Sequence, residues 1–306
     1  MSLSEFQLIK KYFYSTPPHS SGVVIGVGDD GAVIKLPPDT TRVGVCETIT
    51  THSPNINTDH PKALGHRVLS TALNKLAAFG ATPAWMTLSL TLPEANESWL
   101  QPFSEGLLSL AERFRISLVG GDTTQGPLTI TVIVDGTIPI ATPSPANPGV
   151  QDALCMSGFL AGSANALIAT STPHLFTDTE RRQALHELEF PTPRVVLGKF
   201  LSEHSVAAAD ITGGLTAGIK TLLERSELGG ELHLDKLPVP NAVSRQMALA
   251  PGYRPWLSLT GDHELVFTLP CSQHSLLTKK LAKLGIPISI IGSVDEGAGV
   301  RLRETS

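Results

Sequence analysis

The stretch VGGDTTQGPL at residues 119–128 decides how the rest of the chain is interpreted, and three similar segments accompany it. These segments read GVGDDG at 26–31, ADITGG at 209–214 and TGDHE at 260–264. Each lies beside a run of β-forming residues, so we expect four turns that leave a sheet and present a short carboxylate. Glycine lets the backbone approach a ligand closely, and aspartate and threonine carry the hard oxygens that magnesium prefers. An acidic glycine turn is common by itself, but four of one chemical type predict a site for metal and phosphate.

Composition and charge favour a soluble intracellular enzyme. The 306 residues suffice for about two domains, and 41% hydrophobic residues with a mean hydropathy of +0.10 argue against disorder. A net charge of −5 gives no attraction to nucleic acid or to an anionic membrane. The cysteines do not form a disulfide or zinc-ribbon pattern, since they lie far apart at Cys46, Cys155 and Cys271. Neither a signal leader nor a membrane-spanning apolar stretch is recognised, so the sequence predicts a cytoplasmic protein.

Apolar periodicity predicts helices and strands that are interleaved without a regular βαβ alternation, so the expected fold class is α+β. In the first half we predict helices at 3–13, 61–79 and 96–114, and strands at 32–36, 42–46, 86–92, 116–119 and 128–134. In the second half we predict helices at 161–170, 180–189, 195–204, 216–223, 242–248 and 276–284, and strands at 153–157, 231–234, 256–259, 265–269 and 288–291. The proline-rich segment 140–150 is a linker candidate, which gives domains at residues 1–140 and 150–306. We expect a ligand between these two halves.

Motifs in matching order and spacing carry a resemblance to a known family along nearly the whole chain. The most specific is the 119–128 stretch, and the others are GVGDD at 26–30, LAAFGATPAW at 76–85, LSLTLP at 88–93, PTPR at 191–194, ADIT at 209–212 and DHELVFT at 262–268. The chain resembles the thiamine-monophosphate kinases. These belong to the superfamily of aminoimidazole ribonucleotide synthetase, selenophosphate synthetase and a hydrogenase maturation protein.

The resemblance implies an α+β fold of two domains, like that of aminoimidazole ribonucleotide synthetase. The N-terminal half would form a dimeric β-barrel-like core with a second copy, and the C-terminal half would be a further α+β domain. ATP would bind between the halves and pass its γ-phosphoryl group to thiamine monophosphate, giving thiamine diphosphate in a reaction that uses Mg²⁺. Such chemistry depends mostly on positioning and charge neutralisation, so no residue is assigned as a general acid or base.

Matching positions give a candidate site, which stays an implication of the resemblance. The expected metal ligands are Asp30, Glu47, Asp122 and Asp210, where Glu47 is one methylene longer than the family's aspartate. Contacts with ATP are expected from Gly121, Asp122 and Thr212. Further candidates are Asp29, Thr48, Lys75 and Asp262. For Asp29 an ordinary Asx turn is an equally good interpretation. We expect Asp30, Asp122 and Asp210 to converge on one cleft.

The chain departs from the family's pattern at several of these positions. Lys75 and Gly213 stand where the family has metal-binding aspartates, Pro54 lies in its substrate-side motif, and Gly261 replaces a glutamate. The ATP-contacting arginine expected around 142–146 is absent from that segment. Two interpretations of Lys75 are open. Its ammonium offers donors to a phosphate, as lysines in other kinases do, or the metal position is simply lost and the lysine lies on a solvated helix face.

Two classes of function follow from matches and departures together. The first is a working phosphotransferase with ATP and thiamine monophosphate as its partners, or a related kinase with a different acceptor. The second is a catalytically degenerate homologue that folds, dimerises and binds nucleotide weakly. Retained Asp30, Asp122 and Asp210 favour the first class, whereas Lys75 and Gly213 favour the second.

Overall fold

The computed structural model describes residues 5–14, 22–29, 31–53, 56–249, 254–270 and 272–303. The chain divides into two units, each with a sheet of its own. Unit 1 comprises Met1–Leu76, Ala81–Ala141 and Glu189–Pro191. Unit 2 comprises Ala77–Gly80, Thr142–Leu188 and Thr192–Ser306. Helices and sheets are mixed throughout the described residues, which confirms the α+β class.

Unit 1 is built on a four-stranded sheet that follows from its alternating apolar residues. Its elements are α1 (Glu5–Tyr12), β1 (Val23–Ile25), β2 (Val33–Ile34), β3 (Thr40–Thr50), α2 (Pro61–Ala78), β4 (Thr82–Leu92), α3 (Glu97–Arg113), β5 (Ser117–Gln125) and β6 (Thr129–Pro139). The strand order is β3-β6-β4-β5, with β4 and β5 parallel and the other pairs antiparallel. β3 and β5 are therefore the two edges of the sheet.

Helices α2 and α3 lie against each other because glycine lets their backbones approach. A Cβ atom at Gly65 would stand 2.2 Å from the carbonyl oxygen of Phe103, and one at Gly106 would stand 1.9 Å from that of Lys62. Each helix begins at a fitting residue: proline suits the first turn of α2, and the Oδ1 atom of Asn96 accepts the amide N–H of Ser98 at 3.0 Å to cap α3.

The two faces of this sheet have different environments. Residues paired across neighbouring strands point to the same face, so two rows of side chains can be followed across it. One row consists of Glu47, Val132, Leu88 and Gly121. Val132 and Leu88 in it are buried, and Glu47 contacts Lys75 of helix α2. The other row lies on the open face and consists of Thr48, Thr131, Ser89 and Asp122. Glu47 and Asp122, both expected to bind metal, thus lie on opposite faces.

Unit 2 contains a six-stranded sheet in the order β12-β9-β11-β7-β10-β8, in which only β12 and β9 pair in parallel. Its elements are β7 (Ala153–Ser157), α4 (Gly162–Ser171), α5 (Asp178–Glu189), α6 (Val195–Glu203), β8 (Ala208–Asp210), α7 (Leu215–Leu223), β9 (Gly229–His233), α8 (Asn241–Leu249), α9 (Arg254–Leu257), β10 (Leu265–Leu269), α10 (His274–Leu281), β11 (Ile288–Asp295) and β12 (Val300–Arg303). The core joins the sheet to α7, since Ile211, Ile219, Leu222 and Val266 form one buried cluster.

Three sequence predictions are corrected. Residues 120–124, expected to be a turn, continue strand β5, because the threonines suit a strand and a Cβ atom at Gly121 would lie 1.8 Å from the carbonyl oxygen of Leu88. Residues 256–259 were expected to be a strand, but residues 256 and 257 belong to the short helix α9 (Arg254–Leu257). Strand β12 was not predicted. Within the described residues, no helix combines the length and apolar character needed to cross a membrane.

Candidate active site

Two acidic segments of unit 1 line one cavity. Asp29 follows Gly28, whose φ of 111° is a left-handed conformation that favours glycine. Asp122 is an exposed residue of edge strand β5. Both aspartates line a cavity of about 150 Å³ whose wall also includes Phe13, Leu88, Gly121 and Thr123. Asp29 and Asp122 thus line one cavity. The convergence expected of Asp30, Asp122 and Asp210 stays a prediction, since Asp30 lies outside the described residues.

The residue types around this cavity suit a hard divalent cation. Carboxylates and a threonine hydroxyl are the donors that Mg²⁺ takes together with water and substrate phosphates. In the part of the chain that the structure describes, no group of three or more metal-ligating side chains occurs. A cation held by Asp29 and Asp122 would therefore need further ligands from a phosphate or water, as is usual for magnesium.

Strand β3 carries Glu47 and Thr48 on opposite faces. The Oε2 atom of Glu47 accepts a hydrogen bond from Nζ of Lys75 at 2.5 Å, which joins β3 to helix α2. Thr48 shares a hydrogen bond of 2.9 Å with Thr131 on the open face. Because β3 and β5 are opposite edges of the sheet, three strand spacings of about 4.8 Å put Glu47 about 14 Å from Asp122 within one copy. These two carboxylates of the chain do not reach one metal ion together.

The third acidic segment forms a local turn at the end of strand β8. The Oδ2 atom of Asp210 accepts the amide N–H of Thr212 at 3.1 Å and also the hydroxyl of Thr212. Helix α7 begins directly after Gly214. A Cβ atom at Gly213 would find no heavy atom within 4 Å, so a side chain at this position has room. The hydroxyl that we expected to contact ATP is thus bonded to Asp210 in this conformation.

Asp262 has a structural environment instead of an open one. Its carboxylate is buried and accepts the amide N–H of Ala161 at 2.6 Å and that of Ser163 at 3.0 Å, at the start of helix α4. Burial raises the pKa of Asp262 to about 6, against the lowering effect of these amide hydrogen bonds. The neighbouring Gly261 has a φ of 102°, which a glutamate would adopt only with strain.

A buried ion pair in unit 2 was missed from the sequence. Nε of Arg194 donates to Oε2 of Glu264 at 2.6 Å, and Nη2 of Arg194 donates to Oε1 of Glu264, which makes the pair bidentate. The Ser157 hydroxyl donates to the same carboxylate at 2.5 Å and accepts the amide N–H of Leu265 at 3.0 Å. Arg194 and Glu264 belong to the PTPR and DHELVFT motifs, so the available signal was two motif residues of opposite charge that had no partner assigned.

The positions that depart from the expected pattern have separate outcomes. Lys75 is paired with Glu47 and is 37% exposed. Gly213 is open and Gly261 is conformationally restricted, as described above. Pro54 lies outside the described residues.

The fold and the acidic strand segments place the chain in a known class. Residues 28–138 match the sequence model for "AIR synthase related protein, N-terminal domain", and residues 154–304 match the model for the C-terminal domain of the same proteins. The chain is an AIR synthase related protein.

Comparison with individual proteins narrows this class. The chain is 33% identical over 298 residues to the thiamine-monophosphate kinase of Escherichia coli strain K12. These 298 aligned residues are 96% of this chain and 91% of that relative. It therefore belongs to the thiamine-monophosphate kinase family, and the resemblance carried by its motifs is confirmed.

Solved structures agree with this assignment. The thiamine-monophosphate kinase of Stenotrophomonas maltophilia K279a is 30% identical, with a TM-score of 0.84 over 99% of this chain and 97% of that chain. A structure described as AaThiL complexed with AMPPCP and TMP is 23% identical, with a TM-score of 0.72 over 100% of this chain and 97% of that chain. At 23% identity, the similarity to this second structure supports the fold alone.

Proposed function

We propose that this chain transfers the γ-phosphoryl group of ATP to thiamine monophosphate and so produces thiamine diphosphate. The observation that carries the proposal is the 33% identity to a thiamine-monophosphate kinase over 96% of the chain. The geometry of unit 1 supports it, because the segment around Gly121 and Asp122 lines a cavity together with Asp29. Phosphoryl transfer needs such a site, where charge on the phosphates is neutralised and the reacting groups are aligned.

The residues that would hold magnesium in this proposal are aspartates of the acidic segments. Asp122 and Asp29 fit this role by their shared cavity, and Asp30 and Asp210 are further candidates from their matching positions. Bound magnesium supplies positive charge to the phosphates. The chain's own contribution is to fix these carboxylates, since Asp122 lies on a paired strand and Asp210 is held in a turn by Thr212.

A second candidate function is a degenerate homologue that binds nucleotide weakly, and one observation favours it. Glu47, a proposed metal ligand, is neutralised by Lys75 in a partly buried ion pair, and Gly213 offers no carboxylate. Introducing Lys75→Asp with Gly213→Asp separates the two candidates. A degenerate chain gains activity and magnesium affinity together, whereas a chain in which Lys75 is productive loses activity.

We also propose that the protein works as a homodimer in the cytoplasm, where ATP is available. Within the described residues, β3 and β5 are edge strands of the unit 1 sheet, and its open face carries exposed Cys46 and Ile133. Unpaired strand edges and exposed apolar side chains such as Ile133 favour cover by a second surface. A second copy would supply this cover. Light scattering that finds only a mass near 32.4 kDa at micromolar concentration contradicts the dimer.

The direct test of the function is a coupled assay with purified protein, ATP, Mg²⁺ and thiamine monophosphate. We expect turnover of about 1 s⁻¹ or more, the usual lower range for kinases. Thiamine and unrelated phosphate monoesters serve as control acceptors. Absence of turnover with thiamine monophosphate, in protein that is folded and binds ATP, rejects this acceptor. Turnover with another phosphate monoester identifies a related kinase.

A further inference from the structure

We propose that Lys75 takes the place of a divalent cation beside Glu47, so that Glu47 is not a metal ligand in this chain. The inference rests on the proposed function, because it concerns how that site is electrically balanced. Of the proposed metal ligands, Glu47 would then not contribute, and magnesium would be bound without a ligand from strand β3.

Lys75 and Glu47 are in direct contact. Nζ of Lys75 lies 2.5 Å from Oε2 of Glu47, so the ammonium is in direct contact with the carboxylate oxygen. A magnesium ion binds carboxylate oxygen at about 2.1 Å. An ammonium at that oxygen therefore occupies the space in which a cation would be coordinated. The residues at 47 and 75 do not fit a divalent cation in this conformation.

The carboxylate of Glu47 is more buried than the ammonium of Lys75. The Glu47 side chain is only 16% exposed, whereas that of Lys75 is 37% exposed. A carboxylate that is largely removed from water needs a positive partner. Glu47 lies in the row of the sheet that faces α2, next to fully buried Val132. Lys75 supplies its charge from α2, so no external ion is required.

The charges of Glu47 and Lys75 balance each other. One divalent cation between two carboxylates has a net charge of zero, and one ammonium beside one carboxylate also has a net charge of zero. The pair of Lys75 and Glu47 is therefore neutral without an added metal ion. A divalent cation added here would lie close to an ammonium and would meet only one carboxylate, an arrangement that like-charge repulsion opposes.

Glu47 is far from the other acidic residue of this sheet that is a proposed metal ligand. Glu47 lies on the opposite face and the opposite edge of the sheet from Asp122, about 14 Å away within one copy. Asp122 therefore does not serve as a second ligand for an ion at Glu47 in the same protomer. The cavity beside Asp29 and Asp122 is separate from the Glu47 contact, because neither Glu47 nor Lys75 lines it.

The test counts metal ions directly, with Mn²⁺ as a paramagnetic probe. Binding is measured by electron paramagnetic resonance, with Mn²⁺ alone and with Mn²⁺ plus AMPPCP, for the unmodified protein and for Glu47→Gln, Lys75→Asp and the double variant. Lys62→Gln is the matched control, since Lys62 is also on α2 and its pair with Glu105 is half exposed. Thermal unfolding checks that each variant is folded.

We expect Glu47→Gln to leave Mn²⁺ number and affinity unchanged, as Lys62→Gln does. Lys75→Asp should gain one Mn²⁺ per chain, because two carboxylates then face each other, and adding Glu47→Gln should abolish that gain. A tenfold loss of Mn²⁺ affinity in Glu47→Gln overturns the inference, since Glu47 would then be a ligand. A folded Lys75→Asp protein that gains no Mn²⁺ also overturns it. Neither readout uses turnover, so failure of the proposed function is seen separately in the kinase assay.

Discussion

Removing Arg194 should destabilise unit 2 strongly, because it leaves the buried carboxylate of Glu264 without its cation. In Arg194→Met two charge-assisted hydrogen bonds are lost, while the bond from Ser157 remains. The Glu264 side chain is only 9% exposed, so water does not replace the guanidinium. Breaking a buried pair by removing one partner costs about 3–5 kcal/mol. Two lost bonds to a charged group, at about 1.5–3 kcal/mol each, give about 3–6 kcal/mol, which overlaps this range.

Hydrogen exchange read by mass spectrometry is the suitable assay, because it reports on β7 and β10, the strands that carry Ser157 and follow Glu264. At 1.4 kcal/mol per tenfold, we expect amides in β10 (Leu265–Leu269) to exchange about 10²–10⁴-fold faster. Arg194→Met with Glu264→Leu removes both charges and should restore most of the protection. Lys62→Gln, at a half-exposed pair, is the control and should change nothing. Acceleration below tenfold in Arg194→Met refutes the reasoning.

Three other outcomes are expected. Asp122→Asn should weaken Mg-ATP affinity at least about tenfold in calorimetry, since one metal-facing charge is removed; unchanged affinity takes Asp122 out of the site. The raised pKa of Asp262, about 6 against an ordinary 3.8, means that its contribution to stability is complete below pH 3.8 and is lost as pH rises through 6. That loss is about 3 kcal/mol, so Asp262→Asn should flatten the pH dependence of thermal unfolding over this window, and an identical slope would contradict it. Gly106→Ala should cost about 1–3 kcal/mol in urea unfolding, because its Cβ would lie 1.9 Å from the Lys62 carbonyl oxygen, while Gly120→Ala, with open space, should be tolerated.

The sequence was sufficient for the fold class, for most elements and for the family. Long periodic segments were the clearest: the helix predicted at 61–79 is observed as Pro61–Ala78, and the strand predicted at 265–269 is observed as Leu265–Leu269. The acidic segment at 120–124 was misread, because glycine signals a turn in local sequence. Here Gly121 instead allows close pairing with Leu88, which is a non-local reason.

The candidate site was predictable in its residue types but not in its partners. Glu47 and Lys75 are 28 residues apart, and their contact depends on how helix α2 crosses strand β3. Arg194 and Glu264 are 70 residues apart. Periodicity assigns each residue to a helix, a strand or a loop, but it does not say which face of one element meets which residue of another. Opposite charges that end in contact are therefore found only from the tertiary structure.

The path of the chain has a consequence for how this protein could be divided by engineering or by gene rearrangement. The polypeptide passes repeatedly between the two units, since residues 77–80 belong to unit 2 and Glu189–Pro191 belong to unit 1. The carbonyl oxygen of Pro191 accepts the hydroxyl of Ser70 at 2.9 Å and contacts Nε2 of His66 at 2.9 Å. A fragment cut after Ala141 would lose this acceptor and leave the buried Ser70 hydroxyl without it. The halves are thus not exchangeable cassettes, and a split or permuted version would have to carry the 189–191 tripeptide with its first half.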